Sequence, residues 1–477
     1  ASHVLRSVYR QLATSRGAGA TAGDHTSVLD MGKTAFTGNY LLRQLGRQPD
    51  AVPCFHVAYS GGLDSHVLLH ALGAVRDRLD ARIAAVHVHH GLQAEADQWE
   101  THCRDVCAAL DIDFKVLAVD ARAGRGESPE AAARSARYGA LAAWLPARHC
   151  LLTAQHQDDQ AETLLLQLLR GSGVSGMAAM PETSACGKGL QMRPLLGVTR
   201  AALQDYARQH ALVWIEDPSN SDTAFDRNFL RHRVMPLLHE RWPAASSSLS
   251  RSAAHCAAAS ELLARQAADD LQALPGSQHE TVSASGLAAL PGARRDNALR
   301  AWLKQHTRHA PSTAVLTRIV EDVLNSREDA GPCVHWDRFE VRRYRDDVYC
   351  LAQRQAVDAG AELNWTLSGP LALPGAGGRL TATPARGSGL RRAAITAGGV
   401  RIAWRRGGER CHPPGREQHH SLKKLFQEAG IPPWERDRIP LIYLGDELAM
   451  VAGLWVCGPF QASAAEDGIV IDWQPED

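Results

Sequence analysis

Between residues 54 and 169 the sequence alternates four short apolar runs with four longer segments of helical periodicity. A parallel pair of strands needs a long connection, so strands that alternate with helices indicate a parallel sheet with right-handed crossovers. The predicted strands are 54–59, 83–89, 114–119 and 150–154, and the predicted helices are 64–75, 94–110, 130–145 and 158–169. We therefore expect an α/β first domain built on a doubly wound, mostly parallel sheet.

The sharpest turn in this pattern is SGGLDS, residues 60–65, between the first predicted strand and its helix. Gly61 and Gly62 allow backbone geometry that residues with a Cβ resist, so main-chain N–H groups can converge on an anion. The helix N-terminus adds further N–H groups, and Ser60 and Ser65 add hydroxyl donors. The turn contains no GxGxxG and is not followed by GK[ST], which excludes a dinucleotide fingerprint and a Walker A loop. It predicts a phosphate site, and its short length suits a pyrophosphate.

Asp64 lies inside this turn and has two interpretations. A carboxylate in the first turn of a helix is stabilised by the helix dipole, by about 0.3–1 kcal/mol. A carboxylate beside a polyphosphate is also a ligand for a bridging Mg²⁺ ion. The residues by themselves leave both interpretations open.

A second polar turn, AQHQDDQAET at residues 154–163, lies where the fourth predicted strand meets its helix. It faces the same edge of the sheet as SGGLDS, because the carboxyl ends of parallel strands share an edge. Asp159 and Glu162 are three residues apart and lie on one helix face. They are either acids that complement the helix dipole or a carboxylate pair that binds a cationic amine. His156 precedes them and is placed to position or shuttle a proton near neutral pH.

Two further groups of residues point to the same edge. His87, His89 and His90 end the second strand, but His90 does not share the face of the other two, so we do not expect a zinc site there. Arg134 and Arg137 are three apart on one helix face, so both can reach one phosphate site. The alternative for this pair is a solvated helix surface.

The charge pattern predicts a separate surface for nucleic acid. Lys plus Arg and Asp plus Glu both number 52, so a nucleic-acid partner must be bound by a local basic patch. Residues 386–424 contain ten Lys and Arg against two acids, and Arg406, Lys423 and Lys424 are the candidates there. Arg231, on the helix after EDPSN, is a further candidate, although a purely structural closing helix explains it equally well.

Composition bounds the class of protein. The ten cysteines are scattered and contain no CxxC pair, which is typical of reduced thiols in a cytoplasmic protein and argues against a zinc ribbon. No run approaches about 18 apolar residues, so we expect no membrane partner. The sequence allows either a monomer or a homodimer.

We expect five regions along the 477 residues. They are an extension without stable structure (1–50), a catalytic α/β domain (51–242), a mainly helical substrate domain (243–355), a linker with short strands (356–395) and a small α+β C-terminal domain (396–477).

SGGLDS after an apolar strand resembles the signature of the PP-loop, or N-type, ATP pyrophosphatases. The chain resembles most closely the bacterial tRNA(Ile)-lysidine synthetases, densely over residues 54–242 and more loosely beyond. The segments that carry this resemblance, in the same order, are AYSGGLDSHVLLH (58–70), VHVHHGL (86–92), EAAARSARYGAL (130–141), TAQHQDDQAETLLLQLLRGSG (153–173), RPLL (193–196), WIEDPSN (214–220), DRNFLRHRVMPLL (226–238) and the basic segment 405–442.

The resemblance implies an activity and a set of site residues. It implies that ATP adenylates the C2 oxygen of the wobble cytidine in a CAU-anticodon tRNA(Ile), and that free L-lysine then displaces AMP to give lysidine. It implies Mg²⁺ on Asp64 and tRNA contact by the C-terminal domain. The implied sets are catalytic Asp64, Asp159 and Glu162; ATP-binding Ser60, Gly61, Gly62, Leu63, Asp64, Ser65, His87, Arg134 and Arg137; and lysine-binding Asp159, Glu162 and His156.

Three other functions stay open. A tRNA-thiolating PP-loop enzyme is the nearest, but that chemistry usually relies on paired cysteines and no CxxC occurs. A non-catalytic RNA-binding protein with a degenerate nucleotide fold is disfavoured by the intact SGGLDS and HQDDQAET motifs. An amidating ligase often carries a glutaminase domain, and the sequence contains no nucleophilic cysteine motif for one.

Overall fold

The computed structural model describes residues 36–47, 52–89, 96–120, 122, 129–307, 311–327, 330–375, 377–395, 399–413, 415 and 418–475. The chain divides into two compact units after Leu263, within the long helix α10. The helices and strands up to that point are α1 (Gly38–Leu45), β1 (Cys54–Ala58), α2 (Leu63–Gly73), β2 (Arg82–His89), α3 (Ala96–Ala109), β3 (Asp113–Ala118), α4 (Pro129–Trp144), β4 (Cys150–Leu152), α5 (Gln157–Leu169), α6 (Val174–Met177), β5 (Thr183–Cys186), β6 (Gly189–Met192), α7 (Arg200–Gln209), α8 (Asp226–Phe229), α9 (Met235–Arg241) and α10 (Ala245–Ala273).

One six-stranded sheet organises the first unit, in the order β3-β2-β1-β4-β6-β5. Every pairing is parallel except that of β5 with β6. The mostly parallel fold class is therefore confirmed. The chain proceeds outward from β1 to β3 and then returns to the other side of β1 with β4, so the order reverses between β1 and β4. Ligands of open α/β sheets bind beyond the carboxyl ends of the strands at such a reversal.

The two strands at this reversal, β1 and β4, pack in a hydrophobic core. Val57 in β1 and Leu152 in β4 are buried, as are Leu68, Leu69 and Leu72 in α2. Helix α2 is apolar over nearly its whole surface because it is covered on several sides, including by α7. Both turns that were predicted to carry chemistry therefore start from rigid strands.

Two expectations for this unit need correction. Part of the predicted extension is a helix, α1, which begins after the N-cap Thr37 and buries Leu41 and Leu45 in the core of the first unit. The remainder of the extension that precedes residue 36 lies outside the described residues. The hairpin β5–β6 was not predicted, because its strands are four residues long and carry little apolar periodicity.

The second unit combines helices with antiparallel sheets. Its elements after α10 are β7 (Val282–Ser283), α11 (Ala284–Ala289), α12 (Gly292–His306), α13 (Thr313–Arg318), β8 (Cys333–Trp336), β9 (Phe339–Tyr344), β10 (Asp347–Ala352), β11 (Glu362–Trp365), β12 (Leu371–Ala372), β13 (Arg379–Arg386), β14 (Leu390–Arg391), β15 (Val400–Ala403), β16 (Arg410–Cys411), β17 (His420–Ser421), α14 (Leu422–Glu428), α15 (Pro433–Arg436), β18 (Leu441–Leu444), β19 (Glu447–Val451), β20 (Trp455–Val456) and β21 (Asp467–Gln474).

The segment expected to be a linker, 356–395, is built into the C-terminal sheets. Strand β11 pairs with β15, and β13 pairs with β21 along eight residues. Trp365 and Leu380 from this segment are buried in the same core as Trp404. Its glycine and proline content marks tight turns between paired strands, not a flexible connection.

None of the helices among the described residues has the length and apolar character that crossing a membrane requires.

Candidate active site

The turn between β1 and α2 takes the backbone conformation that glycine allows and other residues resist. Only one of its two glycines, Gly61, adopts that conformation. Gly61 has φ +84°, whereas Gly62 has φ −75° and is the N-cap of α2. A Cβ on Gly61 would lie 2.7 Å from Cδ1 of Ile215 and 3.0 Å from Sγ of Cys103. Glycine is therefore required at position 61, by the backbone angle and by the close approach of two side chains. Neither reason applies at position 62.

The two serines of the turn hold its shape. The Ser65 hydroxyl donates to the carbonyl of Gly62 at 3.0 Å and lies 3.1 Å from the Ser60 hydroxyl. The Ser65 oxygen also accepts from the Ser60 N–H at 3.3 Å. No side chain among the described residues caps α2. The first N–H groups of the helix, including that of Leu63, are therefore left for an anion.

Alanine substitutions at Gly61 and Gly62 test whether the turn needs glycine at each position. We expect Gly61→Ala to destabilise the first unit by ~2 kcal/mol, because it combines a positive φ with a close contact, and to abolish ATP binding. Gly62→Ala is the matched control and should change stability by less than about 0.5 kcal/mol, since a Cβ there meets nothing closer than 3.6 Å. Thermal unfolding and equilibrium ATP binding measure both. Equal stability of the two variants would contradict this account of the turn.

Asp64, in the first turn of α2, is the carboxylate closest to this anion site. Its side chain is 31% exposed, and its Oδ2 lies 3.6 Å from Nε2 of His156. Its Oδ1 is buried and has no hydrogen-bond partner among the described residues. A buried carboxylate oxygen without a donor is costly unless a cation satisfies it. The residue thus fits an oxygen ligand of a Mg²⁺ ion.

His156 is the N-cap of α5 and connects the two turns. Its ring Nδ1 accepts from the backbone N–H of Asp159 at 3.4 Å, and its backbone N–H donates to Oδ2 of Asp159 at 3.1 Å. This capping leaves the Nε2–H facing Asp64 and Asp159, at 3.6 and 3.5 Å. Burial lowers the pKa of His156, but the carboxylates of Asp159, Asp64 and Asp158 raise it by more. The imidazole therefore holds a proton above its usual pH range.

Asp159 and Glu162 face two arginines instead of open solvent. Glu162 accepts from Nε of Arg231 at 2.7 Å and from Nε of Arg227 at 3.0 Å, and Asp159 accepts from Arg231 at 2.8 Å. The Glu162 side chain is only 2% exposed. Burial raises the pKa of Asp159, whereas His156, Arg227 and Arg231 together lower it further. The Asp159 carboxyl is thus ionised, and both carboxylates are already paired with guanidiniums.

Arg231 was predicted to meet tRNA phosphates, with a structural closing helix as the alternative. Its guanidinium is bound to Asp159 and Glu162 in the first unit, which agrees with the structural alternative, and its contact with tRNA stays a prediction. Arg227 lies four residues before Arg231 and so on the same helical face, and it pairs with the same two carboxylates. In the sequence, the i, i+4 spacing of the two arginines in DRNFLR indicates only that they share a helical face. That they pair with Asp159 and Glu162 can be recognised only from the folded structure.

Asp158 is a second residue that sequence reasoning passed over. It accepts from the N–H of Arg200 at 2.9 Å and from the hydroxyl of Ser246 at 2.6 Å, and it lies 3.7 Å from Nδ1 of His156. It joins the starts of α7 and α10 to the active-site edge. Contacts between elements this far apart in sequence leave no local signal.

The charges of this cluster do not cancel. Four carboxylates (Asp64, Asp158, Asp159 and Glu162) meet two guanidiniums (Arg227 and Arg231) and one imidazole (His156). Even with His156 protonated, the cluster carries a net negative charge. An anion site at the glycine turn therefore lies beside a site that attracts a cation.

The remaining ATP candidates lie around the same sheet. His87 is buried, and its Nδ1 donates to the carbonyl of Tyr59 at 2.9 Å. Burial lowers the pKa of His87, so its ring is neutral and supports the strand that leads into the turn. The guanidiniums of Arg134 and Arg137 both lie over the ring of Tyr138, at 4.9 and 5.5 Å from its centre. The hydroxyl of Tyr138 accepts from Gln155, one residue before His156.

In the second unit, the basic stretch is less available than its composition suggested. Arg406 donates to the carbonyl of Ala359 at 2.8 Å and to Glu362 at 3.0 Å, so its guanidinium already has partners, and its contact with tRNA stays a prediction. Arg391, Arg401 and Arg405 likewise form ion pairs with Glu466, Glu362 and Asp437.

Lys423 and Lys424 differ from these arginines. Both are exposed in the first turn of α14, and neither ammonium forms an ion pair with a described residue.

Comparison with known proteins gives three matches to family models. A PP-loop domain matches residues 39–238, a TilS substrate binding domain matches 283–349, and a TilS substrate C-terminal domain matches 400–473.

Individual proteins match over most of the chain. The tRNA(Ile)-lysidine synthase of Coxiella burnetii is 42% identical over 88% of this chain and 93% of its own length. That of Serratia proteamaculans is 43% identical over 91% of this chain and 99% of its own length. Among solved structures, a U34-tRNA thiolase from Methanococcus maripaludis is 16% identical, with a TM-score of 0.39 over 45% of this chain and 76% of its own.

Proposed function

Because the chain belongs to the tRNA(Ile)-lysidine synthase family, we infer that it ligates lysine to C2 of the wobble cytidine of a CAU-anticodon tRNA(Ile). The reaction consumes ATP and yields lysidine, AMP and pyrophosphate. The observation that carries this function is the identity of 42–43% over 88–91% of the chain, with the glycine turn and the HQDD turn intact at one sheet edge. Family membership favours lysine over the sulfur donor of a thiolase.

For the first step, we propose that the turn from Ser60 to Ser65 binds the β- and γ-phosphates of ATP. Main-chain N–H groups at the start of α2 would hold the pyrophosphate as it leaves, when its charge grows. We propose that Asp64 holds a Mg²⁺ ion, which when bound neutralises part of that charge. Arg134 and Arg137 are proposed to contact ATP or the adenylated tRNA. The support is the uncapped helix start and the unpaired Oδ1 of Asp64.

For the second step, we propose that lysine binds at the negative cluster, against Asp159, Glu162 and His156. The net negative charge favours an ammonium group there. As the amine attacks C2, it must lose a proton, and we propose that a carboxylate of the cluster takes it, since His156 already holds a proton. Arg227 and Arg231 would keep the two carboxylates of α5 in fixed positions while lysine shares them.

The family decides the substrate class, and one experiment tests it on this chain. The protein is incubated with a CAU-anticodon tRNA, ATP and lysine, or with a sulfur donor in place of lysine. Mass analysis of the nucleosides should show lysidine only with lysine and ATP together. Appearance of a thiolated cytidine, or AMP release without tRNA, would overturn the proposed function.

Contact with tRNA by the second unit is tested by charge reversal. Lys423→Glu with Lys424→Glu should weaken tRNA binding and reduce the slope of log affinity against log salt by about 2, roughly one per lost phosphate contact. Lys115→Glu with Lys188→Glu makes the same charge change at exposed positions of the first unit and should have little effect. Unaltered affinity of the first variant would place the RNA surface elsewhere.

We also propose that the protein acts in the cytoplasm, where ATP, lysine and tRNA are available together. All ten cysteines are free thiols, which agrees with a reducing compartment. The homodimer stays a prediction that sedimentation equilibrium can test.

A further inference from the structure

Three potential metal ligands meet at the edge of the six-stranded sheet opposite to the glycine turn. Cys54 is the first residue of β1, and His56 follows two positions later on the same face. His149 lies directly before β4, and the parallel register pairs Phe55 with Cys150, which brings His149 alongside Cys54. A thiol and two imidazoles that are remote in sequence are thus brought together by the pairing of β1 with β4.

The distances between these groups suit a single ion. One ligand atom from each residue lies within 4.8 Å of the other two, and Nε2 of His56 is 2.8 Å from Nδ1 of His149. Zn–N and Zn–S bonds of about 2.0–2.3 Å at tetrahedral angles place ligand atoms roughly 3.3–3.6 Å apart. An ion therefore requires the two imidazoles to separate by about half an ångström.

Two of the three residues are buried. Cys54 is 3% and His56 7% exposed, while His149 is half-buried. The groups open on a cavity of about 220 Å³, whose walls also include Trp144, Arg82 and Asp113. Trp144 packs its ring edge-on against His56, with 4.9 Å between ring centres.

Charged side chains of both signs line the cavity. Arg82 and Lys115 repel a cation, whereas Asp113 on the same wall attracts one. A thiolate at Cys54, which forms when the ion replaces the S–H proton, supplies one further negative charge.

A second Cys/His/Glu cluster is less suited to a metal. Cys333, His335 and Glu340 lie on β8 and β9, and Glu340 is already bound to Arg342 at 2.7 Å. It serves as the internal control.

We propose that Cys54, His56 and His149 bind one divalent ion of the zinc class, with a fourth coordination position open to the cavity. Binding replaces the Cys54 S–H bond by an S–metal bond and releases one proton to solvent. The ion would fasten the start of β1 to the start of β4. Those two strands lead at their other ends to the glycine turn and to His156, so the ion would fix the spacing of the two halves of the active site.

The test uses full-length protein that has been stripped with a chelator and then titrated with Zn²⁺ against a chromophoric competitor. Wild type should bind one ion tightly, with a rise in the unfolding temperature. Cys54→Ser and His149→Gln should each weaken that binding by at least about 100-fold, more than changes outside the ligand set usually cost. Co²⁺ in place of Zn²⁺ should give a thiolate-to-metal charge-transfer band in wild type that is absent from Cys54→Ser.

The control variant Cys333→Ser with His335→Gln should bind Zn²⁺ and Co²⁺ as wild type does. His149 is half-buried, so His149→Gln decides the matter should Cys54→Ser fail to fold. The absence of a tight site in wild type, or unchanged binding in His149→Gln, would overturn the proposal and leave His56 and His149 as a hydrogen-bonded pair.

Discussion

Asp64→Asn is expected to lower AMP formation by about 1,000-fold or more while tRNA binding stays within about twofold of wild type. The substitution keeps the size of the side chain and removes its charge beside the uncapped start of α2. Because Oδ1 of Asp64 has no partner among the described residues, the change breaks no hydrogen bond of that atom. The substitution also removes a charge beside His156, so the dependence of the loss on Mg²⁺ is what identifies the ion. A factor of 1,000 corresponds to ~4 kcal/mol of transition-state stabilisation.

The measurement is pyrophosphate release in a single turnover, over a range of Mg²⁺ concentrations, with tRNA binding assayed in parallel. Asp77→Asn is the control, since Asp77 is an exposed carboxylate shortly after the same helix. Turnover by Asp64→Asn within tenfold of wild type, with an unchanged Mg²⁺ requirement, would exclude the metal role.

Glu162→Gln should have two effects at once. It leaves Arg227 and Arg231 with weaker partners at a buried position, and breaking a buried ion pair costs about 3–5 kcal/mol of stability. It also removes one negative charge, so the cluster with protonated His156 becomes neutral and loses its attraction for an ammonium group. We expect the KM for lysine to rise at least tenfold and the KM for ATP to change much less.

Two variants sharpen this test. Glu162→Asp keeps the charge and shortens the side chain, so it should retain most of the lysine affinity while losing part of the stability. Asp205→Asn removes the partner of an exposed arginine, Arg208, and should change neither the stability nor the KM for lysine appreciably. A rise in the KM for ATP with no change for lysine would refute lysine binding at Glu162 and leave it as a positioning residue for the two guanidiniums.

Local patterns in the sequence were sufficient to predict the strands of the sheet, the helices between them and the conformation of the first turn. Strands β1 to β4 and their helices lie within about two residues of the predicted bounds, because short apolar runs and helical periodicity reflect burial directly. The positive φ of Gly61 follows from the same local logic.

Charge pairing was not available from local patterns. The excess of Lys and Arg in 386–424 is partly cancelled by Glu362, Asp437 and Glu466, which lie outside that window in sequence and reach it through strand pairing and packing. A count over a window cannot include such acids. Only the folded chain separates the paired arginines from the exposed Lys423 and Lys424.

The active-site edge shows the same division. Alternating strands and helices with two polar turns were enough to determine a parallel sheet, the glycine turn at Gly61 and the common edge of Asp64 and His156. The pairing of Asp159 and Glu162 with Arg227 and Arg231, and the meeting of Cys54 and His56 with His149, were decided by tertiary structure alone. The physical reason is that backbone conformation is set by neighbours along the chain, whereas electrostatic partners and ligand sets are set by neighbours in space.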